Sequence, residues 1–421
     1  MSILSSPQIA NRKINYLFEG DSITAGLFCA PPNDYPTNVY NLLYGGSPTN
    51  STKTNIGTAG ISLLTMVANY STRAGAHFDS TSDLNVLAIM AGTNTSGGSD
   101  TTAEQKYALL RSYLRSAQTT GYNRIIVGTM LCRDDDGGTF WTTYAQQFNT
   151  YVRTYYNSDL RADALMDFGA DSRFNSTAAC NNTNFYNTDL LHPKGPPSSY
   201  EGCVSMAYIA LGPISSVLTG AKPAYVQYPT FSPMDKVSTI TLSNSNRTAT
   251  CTSGSGSYTS AGLPFAKSGK WYWEFTVGAA VHSTGAGLFN ESFTNFSGFA
   301  LGTDTNHLSV GYYQTGHIYL NNVSLVTAAT FTAADVVEVA WDATNHLVWF
   351  RRNRAGVKQS WNGNGSADPA TGVGGIDIST MGTGYIHPGL TLNQPSDACT
   401  VSFGASQLTD TPPSGYSAFT P

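Results

Sequence analysis

The stretch INYLFEGDSITAG, residues 14–26, decides how the first half of the chain reads. Ile14–Glu19 is an apolar run of strand length that passes directly into Gly20-Asp21-Ser22-Ile23-Thr24-Ala25-Gly26. A serine on a glycine-flanked turn at the carboxyl end of a strand sits where an exposed nucleophile belongs. Glycine tolerates the tight backbone, and a helix beyond the turn offers N–H groups to a developing oxyanion. Taken alone, Asp-Ser after a strand more often marks a helix N-cap.

The segments around it supply a sheet. Val86–Ala91, Ile125–Leu131 and Ala164–Phe168 are further short apolar runs. Between them, Glu104–Thr119 sets Tyr107, Leu110, Leu114 and Ala117 at three- and four-residue spacings, and Phe140–Tyr155 does so with Phe140, Tyr144, Phe148, Tyr151 and Tyr155. Such spacings place apolar side chains on one helical stripe. A last helix is expected over Glu201–Leu218. Alternating strands and helices predict a parallel sheet covered on both faces, with its site at the carboxyl ends of the strands.

Three more segments fall where such a site would form. Asn55-Ile56-Gly57-Thr58-Ala59-Gly60 is a glycine-punctuated loop after a polar stretch, Gly92-Thr93-Asn94 follows the most apolar strand, and Asp189-Leu190-Leu191-His192-Pro193 precedes the last helix. A serine hydroxyl is nearly inert until a base takes its proton, and a histidine needs a carboxylate to fix its tautomer. Asp and His three residues apart on one turn deliver both.

In this order the four segments GDSI, NIGTAG, GTN and DLLHP resemble the SGNH (GDSL-type) hydrolase family, over residues 14–218. The resemblance implies a three-layer, flavodoxin-like α/β fold and an esterase, lipase or deacetylase activity. It implies Ser22 as nucleophile, His192 as general base and Asp189 as the residue that orients it. The oxyanion hole would be the backbone N–H groups of Ser22 and Gly60 and the side-chain amide of Asn94. Where the family usually has Asp after the third-block Asn, this chain has Thr95, which weakens the expected support of the Asn94 loop. Asp21 reads as a structural acceptor rather than the triad acid, and His77 as a loop residue. Asp134-Asp135-Asp136-Gly137 reads as a solvated acidic loop ahead of a calcium site, which needs six or more oxygens. No cofactor and no metal are expected.

Past residues 223–234, expected to be a linker, the pattern becomes short alternating strands with Gly, Asn and Ser turns, which predicts a β-sandwich. Lys270–Val277, Leu308–Tyr313, His317–Leu320, Val336–Trp341, His346–Arg351 and Cys399–Phe403 have strand character. The segments SGKWYWEFTV, GFALG, VGYYQTGHIYLNN, DVVEVAWDATNHLVWFRRN, HPGLTLN and CTVSFGA resemble the SPRY family, a concanavalin-like all-β sandwich whose loops bind proteins or other ligands. Domains are thus expected at 1–222 and 235–421. Trp271, Trp273, Trp341 and Trp349 read mainly as core, and Arg351, Arg352 and Arg354 as a solvated strand end.

Composition narrows the function. Of 421 residues only 12% are charged, about half the usual share, and the net charge is −5 with no basic stripe, so nucleic acid is excluded as a partner. No stretch of about 18 apolar residues is evident, nor an amino-terminal run of secretory type, so no membrane span and no export signal are expected. The compartment is left open. Six cysteines are too sparse for a disulfide scaffold. Cys180 with Cys203, and Cys251 with Cys399, are candidate pairs in an oxidising compartment, with buried free thiols the equal alternative.

The expected function is a serine carboxylic-ester hydrolase acting on short acyl groups, an O-acetylated saccharide among its substrates, with a SPRY-like domain whose ligand the sequence does not name. The alternatives are a lipase or thioesterase on longer chains, and a non-catalytic surface or virion-associated receptor-binding protein.

Overall fold

A computed structural model describes residues 12–29, 32–44, 50–96, 100–195, 201–219, 229–254, 258–262, 264–279, 281–291, 300–303, 308–382 and 384–419. The stretch 1–11, half of the expected linker (223–228) and the first two residues of GFALG lie outside these. The chain forms two compact units, Met1–Val226 and Gln227–Pro421.

The first unit is built on a parallel sheet of β1 (Ile14–Gly20), β2 (Ser51–Asn55), β3 (Leu84–Met90), β4 (Arg124–Gly128) and β5 (Ala164–Met166), in the order β2-β1-β3-β4-β5. Every residue of β1 and β3 is buried, as expected of strands covered on both faces. Right-handed crossovers then fix which face each helix takes. Helix Tyr35–Tyr44 packs with helix Glu201–Thr219, whereas Leu63–Ala68 packs with Ala103–Thr120, and that helix with Gln146–Tyr155. The chain leaves β1 towards β2 and later returns to build outward from β3. The reversal opens a crevice beyond the carboxyl ends of β1 and β3, where ligands of such sheets bind. Ser22 comes after one of these strands and Asn94 after the other.

Several expectations need correction. β2, STKTN, is a half-exposed edge strand without apolar alternation, so the sequence shows it only as a polar stretch and not as a strand. The stripe expected along Phe140–Tyr155 shifts phase: Trp141–Ala145 form a wide π turn, and the buried face becomes Phe140, Trp141, Ala145, Phe148 and Val152. One extra residue in the turn rotates the helix beyond it. Gly202–Thr219 does have the length and apolar composition of a membrane span. Its Met206, Ala207, Ala210 and Ile214 are fully buried, as in a core helix against a sheet.

The second unit is a sandwich of two antiparallel sheets among the described residues. One runs in the order Ile240–Ser243, Thr248–Cys251, Ala398–Ser402, Lys270–Val277, Val336–Asp342, Leu347–Arg354, Val357–Lys358. The other runs Phe231–Lys236, Tyr258–Gly262, Ile386–Leu392, Gly285–Asn290, Ser309–Tyr313, His317–Leu320, Val323–Thr327. Residues 231–234, expected within the linker, therefore begin a strand. Trp273, Trp341 and Phe350 meet Leu288, Tyr312 and Leu390 in the core, while Trp349 joins Tyr272, Trp361 and Tyr416 in a second cluster. The arginines are only in part a solvated end: Arg354 is exposed and pairs with the buried Asp335, whereas Arg351 pairs with the fully buried Glu338 and lies over Trp361.

Trp273 stacks on Phe419 with ring centroids 5.1 Å apart. Trp273→Ala should destabilise the second unit by about 3–5 kcal/mol. Urea unfolding of the full chain monitored by tryptophan fluorescence checks this, and a change below about 1 kcal/mol would contradict the packing described.

Candidate active site

Asp21 caps the short helix Ser22–Ala25, its Oδ1 accepting the Ile23 N–H at 3.0 Å. Its carboxyl is fully buried. Burial pushes its pKa up, against hydrogen bonds from Ile23 and Thr93 and the nearby His192. The N-cap meaning of Asp-Ser therefore holds, while the Ser22 expected to be exposed is buried. Ser22 is the first helical residue, so its N–H has no acceptor within the helix. Beneath it the fully buried Glu19 accepts from the Gly20 N–H (2.8 Å), Arg73 (2.6 Å) and the Tyr113 hydroxyl (2.5 Å). Arg73 also donates to the Ile56 carbonyl at 2.6 Å, which ties the GDSI turn to the NIGTAG loop.

That loop sits directly on the serine turn. Asn55 Nδ2 donates to the Thr24 carbonyl at 2.8 Å, and the Thr58 N–H to the Gly20 carbonyl at 3.0 Å. Gly57 lies so close that a Cβ there would fall 2.2 Å from the Ala25 nitrogen. Gly60 adopts a left-handed φ of 74°, faces open space and has no acceptor for its N–H among the described residues. Asn94 reaches the same loop, Nδ2 donating to the Ile61 carbonyl at 3.1 Å; an amide has a second N–H to offer.

The missing Asp after Asn94 is answered by cations from elsewhere. Lys106 Nζ donates to the Asn94 carbonyl (2.8 Å), to Thr95 Oγ1 (3.1 Å) and to Asp100 Oδ1 (2.9 Å), with both charged side chains fully buried. Burial pushes the Lys106 pKa down while Asp100 pulls it back up. Arg133 donates to the Thr93 carbonyl at 2.9 Å. Sequence reasoning passed over Lys106, although a lysine beside Tyr107 on a buried helical stripe is a readable signal.

The Asp189–His192 turn arrives from the far end of the unit. Leu190, at φ 58°, closes it in the left-handed region. Asp189 Oδ1 accepts the N–H groups of Leu191 (3.1 Å) and His192 (3.0 Å), and Oδ2 accepts the His192 Nδ1–H at 2.6 Å. Burial opposes the charge on Asp189, but these bonds outweigh it and hold its pKa below the ordinary value. The tether is therefore intact above the ordinary carboxylate range, and is lost only as pH falls through the depressed value. With the Nδ1 proton so engaged, Nε2 is left as acceptor, and Ser22 Oγ lies 2.8 Å from it. The residues named from the sequence thus meet, and both Ser22 and His192 are nearly buried, at 5% and 6% exposure.

Neither candidate cysteine pair forms, and four of the cysteines are the buried free thiols of the alternative reading. Cys203 bonds to Cys29, not to Cys180, and joins the loop after Ser22 to the helix after His192. Cys180 lies against Cys132 instead, and Cys251 and Cys399 are free. The acidic loop is consumed internally: Asp135 pairs with Arg133, and Asp136 accepts the Phe140 N–H. No cluster of metal-ligating side chains occurs among the described residues.

No family model and no curated protein matches the chain. Two kinds of solved structure are among those similar to it, each spanning about half of it or somewhat less. A member of the lipolytic G-D-S-L family from Veillonella parvula is 19% identical, covering 48% of this chain and 98% of that one at a TM-score of 0.37. TesA is 14% identical, covering 48% and 99%, also at 0.37. The SPRY domain of human HERC1 is 14% identical, covering 43% and 99%, at 0.31.

Lys106→Met would leave Asp100 buried without its cation, so it should cost about 3–5 kcal/mol of stability. Urea denaturation measures this; a loss below about 1 kcal/mol would show that the pair does not hold the Asn94 loop.

Proposed function

We propose that the first unit is a serine carboxylic-ester hydrolase acting on short acyl groups, with O-acetylated saccharides as a substrate class. The observation that carries the reading is the unbroken chain of hydrogen bonds from Asp189 through His192 to Ser22, at 2.6 and 2.8 Å. Ser22 attacks the acyl carbonyl while His192 Nε2 takes its proton. Asp189 keeps the other ring nitrogen protonated and stabilises the imidazolium that forms. Negative charge gathers on the carbonyl oxygen and is met by the N–H groups of Ser22 and Gly60 and the free N–H of the Asn94 amide. The imidazolium then protonates the departing alcohol, and water, activated by the same ring, releases the acid from the acyl-enzyme. No cofactor enters these steps. Burial of the hydroxyl and the ring strengthens each hydrogen bond by excluding water. The short-acyl preference rests on the family resemblance, and the second unit would bring the first to its substrate.

Ser22→Ala and His192→Ala should each abolish turnover of 4-nitrophenyl acetate with the circular dichroism spectrum unchanged, and Asn94→Ala should lower kcat by about 10²–10³. Turnover should be lost as pH falls through the lowered pKa of Asp189, because its protonated carboxyl no longer holds the ring. Activity should fall between acetyl and octanoyl esters. Full activity in Ser22→Ala, or a flat pH profile, would overturn the reading; the opposite chain-length order would replace the short-acyl preference with a lipase-like one.

A further inference from the structure

Phe28 is placed where burial of its ring does not account for its backbone. It is half exposed (51%), as is Leu27 beside it (41%). Its backbone lies in the left-handed region, at φ 67°, which an aromatic residue adopts at an energetic cost. Exposed, the ring recovers little of that cost through burial. Strain of this kind persists only where its surroundings impose it, and here they do. Gly26 ends the Ser22–Ala25 helix in a left-handed turn, the Leu27 N–H donates to the Ser22 carbonyl at 3.0 Å, and the Cys29 N–H to the Gly26 carbonyl at 2.8 Å. The next residue is locked by the Cys29–Cys203 disulfide, and its sulfur lies 3.5 Å from the Pro193 carbonyl. Phe28 is thus fixed from both sides by the two loops that carry Ser22 and His192. Its ring packs edge-on against the His192 imidazole, centroids 5.3 Å apart.

The side of the scissile bond is set by the chemistry proposed above, on which this inference rests. The ring nitrogen that takes the serine proton must return it to the leaving oxygen, so the alcohol leaves alongside the imidazole. The acyl substituent lies across the carbonyl from it. A ring packed on that imidazole borders the path of the alcohol, not the acyl chain. We propose that Phe28 is a specificity-determining residue that binds the alcohol portion of the ester and favours alcohols presenting a flat, ring-sized apolar face. An aryl ring and the C–H face of a pyranose share that chemistry, since both pack on an aromatic face.

The test uses the full chain and holds one part of the ester constant at a time. With the acyl group fixed as acetyl, kcat/KM is measured for ethyl acetate, benzyl acetate and methyl 6-O-acetylglucoside. With the alcohol fixed as ethanol, it is measured for acetate and hexanoate. Phe28→Ala should lower the benzyl-to-ethyl ratio, the glucoside-to-ethyl ratio or both by about 5-fold, chiefly through KM, with the acetate-to-hexanoate ratio unmoved. The ratio that falls identifies the source of the ring. Phe28→Gly, which relieves the backbone as well, should give the same ratios, and Phe28→Trp should restore them. A change confined to the acyl series overturns the assignment, as does an equal loss on every acetate, which would make Phe28 a support for His192. Absence of Ser22-dependent turnover in the wild-type protein on all these esters would instead remove the hydrolase reading itself.

Discussion

One imidazole held between a carboxylate and a hydroxyl is the contact around which the first unit is arranged. Asp189 and Ser22 sit on opposite sides of His192, 170 residues separate the ring from the serine, and the two distances are 2.6 and 2.8 Å. Tolerance at such a junction is a few tenths of an ångström, so both loops must be fixed from behind. The serine turn is fixed by Glu19, which gathers the Gly20 N–H, Arg73 and Tyr113 in the dry interior. The histidine turn is fixed by Asp189 itself, and by the Asn187 N–H donating to the His192 carbonyl at 2.8 Å. The Cys29–Cys203 bond then joins the two loops covalently.

Buried charge recurs as the means of holding loops. Glu19 with Arg73 joins the first two motifs, and Lys106 with Asp100 carries the third. Buried ion pairs of this kind add little net stability over apolar packing, but removing either partner is costly. They suit a site whose loops must keep one geometry. In the second unit Arg351 with Glu338 is a similar largely buried pair, between neighbouring strands of one sheet.

The sheet was legible because β1, β3 and β4 are buried and apolar, and the long helix because Tyr107, Leu110, Leu114 and Ala117 keep their period. The sandwich strands were legible from alternation, Lys270–Val277 and His317–Leu320 to the residue. β2 was not, since an edge strand with half-exposed polar residues carries no hydrophobic signal. The π turn at Trp141–Ala145 was not, because one inserted residue leaves the periodicity locally plausible while rotating the face. At the site, the order of four short motifs named the side chains that meet. Of their supports, Arg73 was hidden because it acts through Glu19, 54 residues away, whereas Lys106 holds Asn94 and Asp100, 12 and 6 residues away, from a buried helical stripe. The partner of Cys203 was hidden for the same reason: Cys29 is 174 residues away, whereas Cys180 is near only in sequence.

The most direct test of the central claim is covalent. A fluorophosphonate reacts with a serine only when a neighbouring base activates its hydroxyl and the surroundings accept a tetrahedral oxyanion. Peptide mass spectrometry after brief exposure should find a single adduct, on Ser22, absent from Ser22→Ala and formed far more slowly in His192→Ala. An adduct on another serine, or labelling of Ser22 at the same rate without His192, would contradict the account.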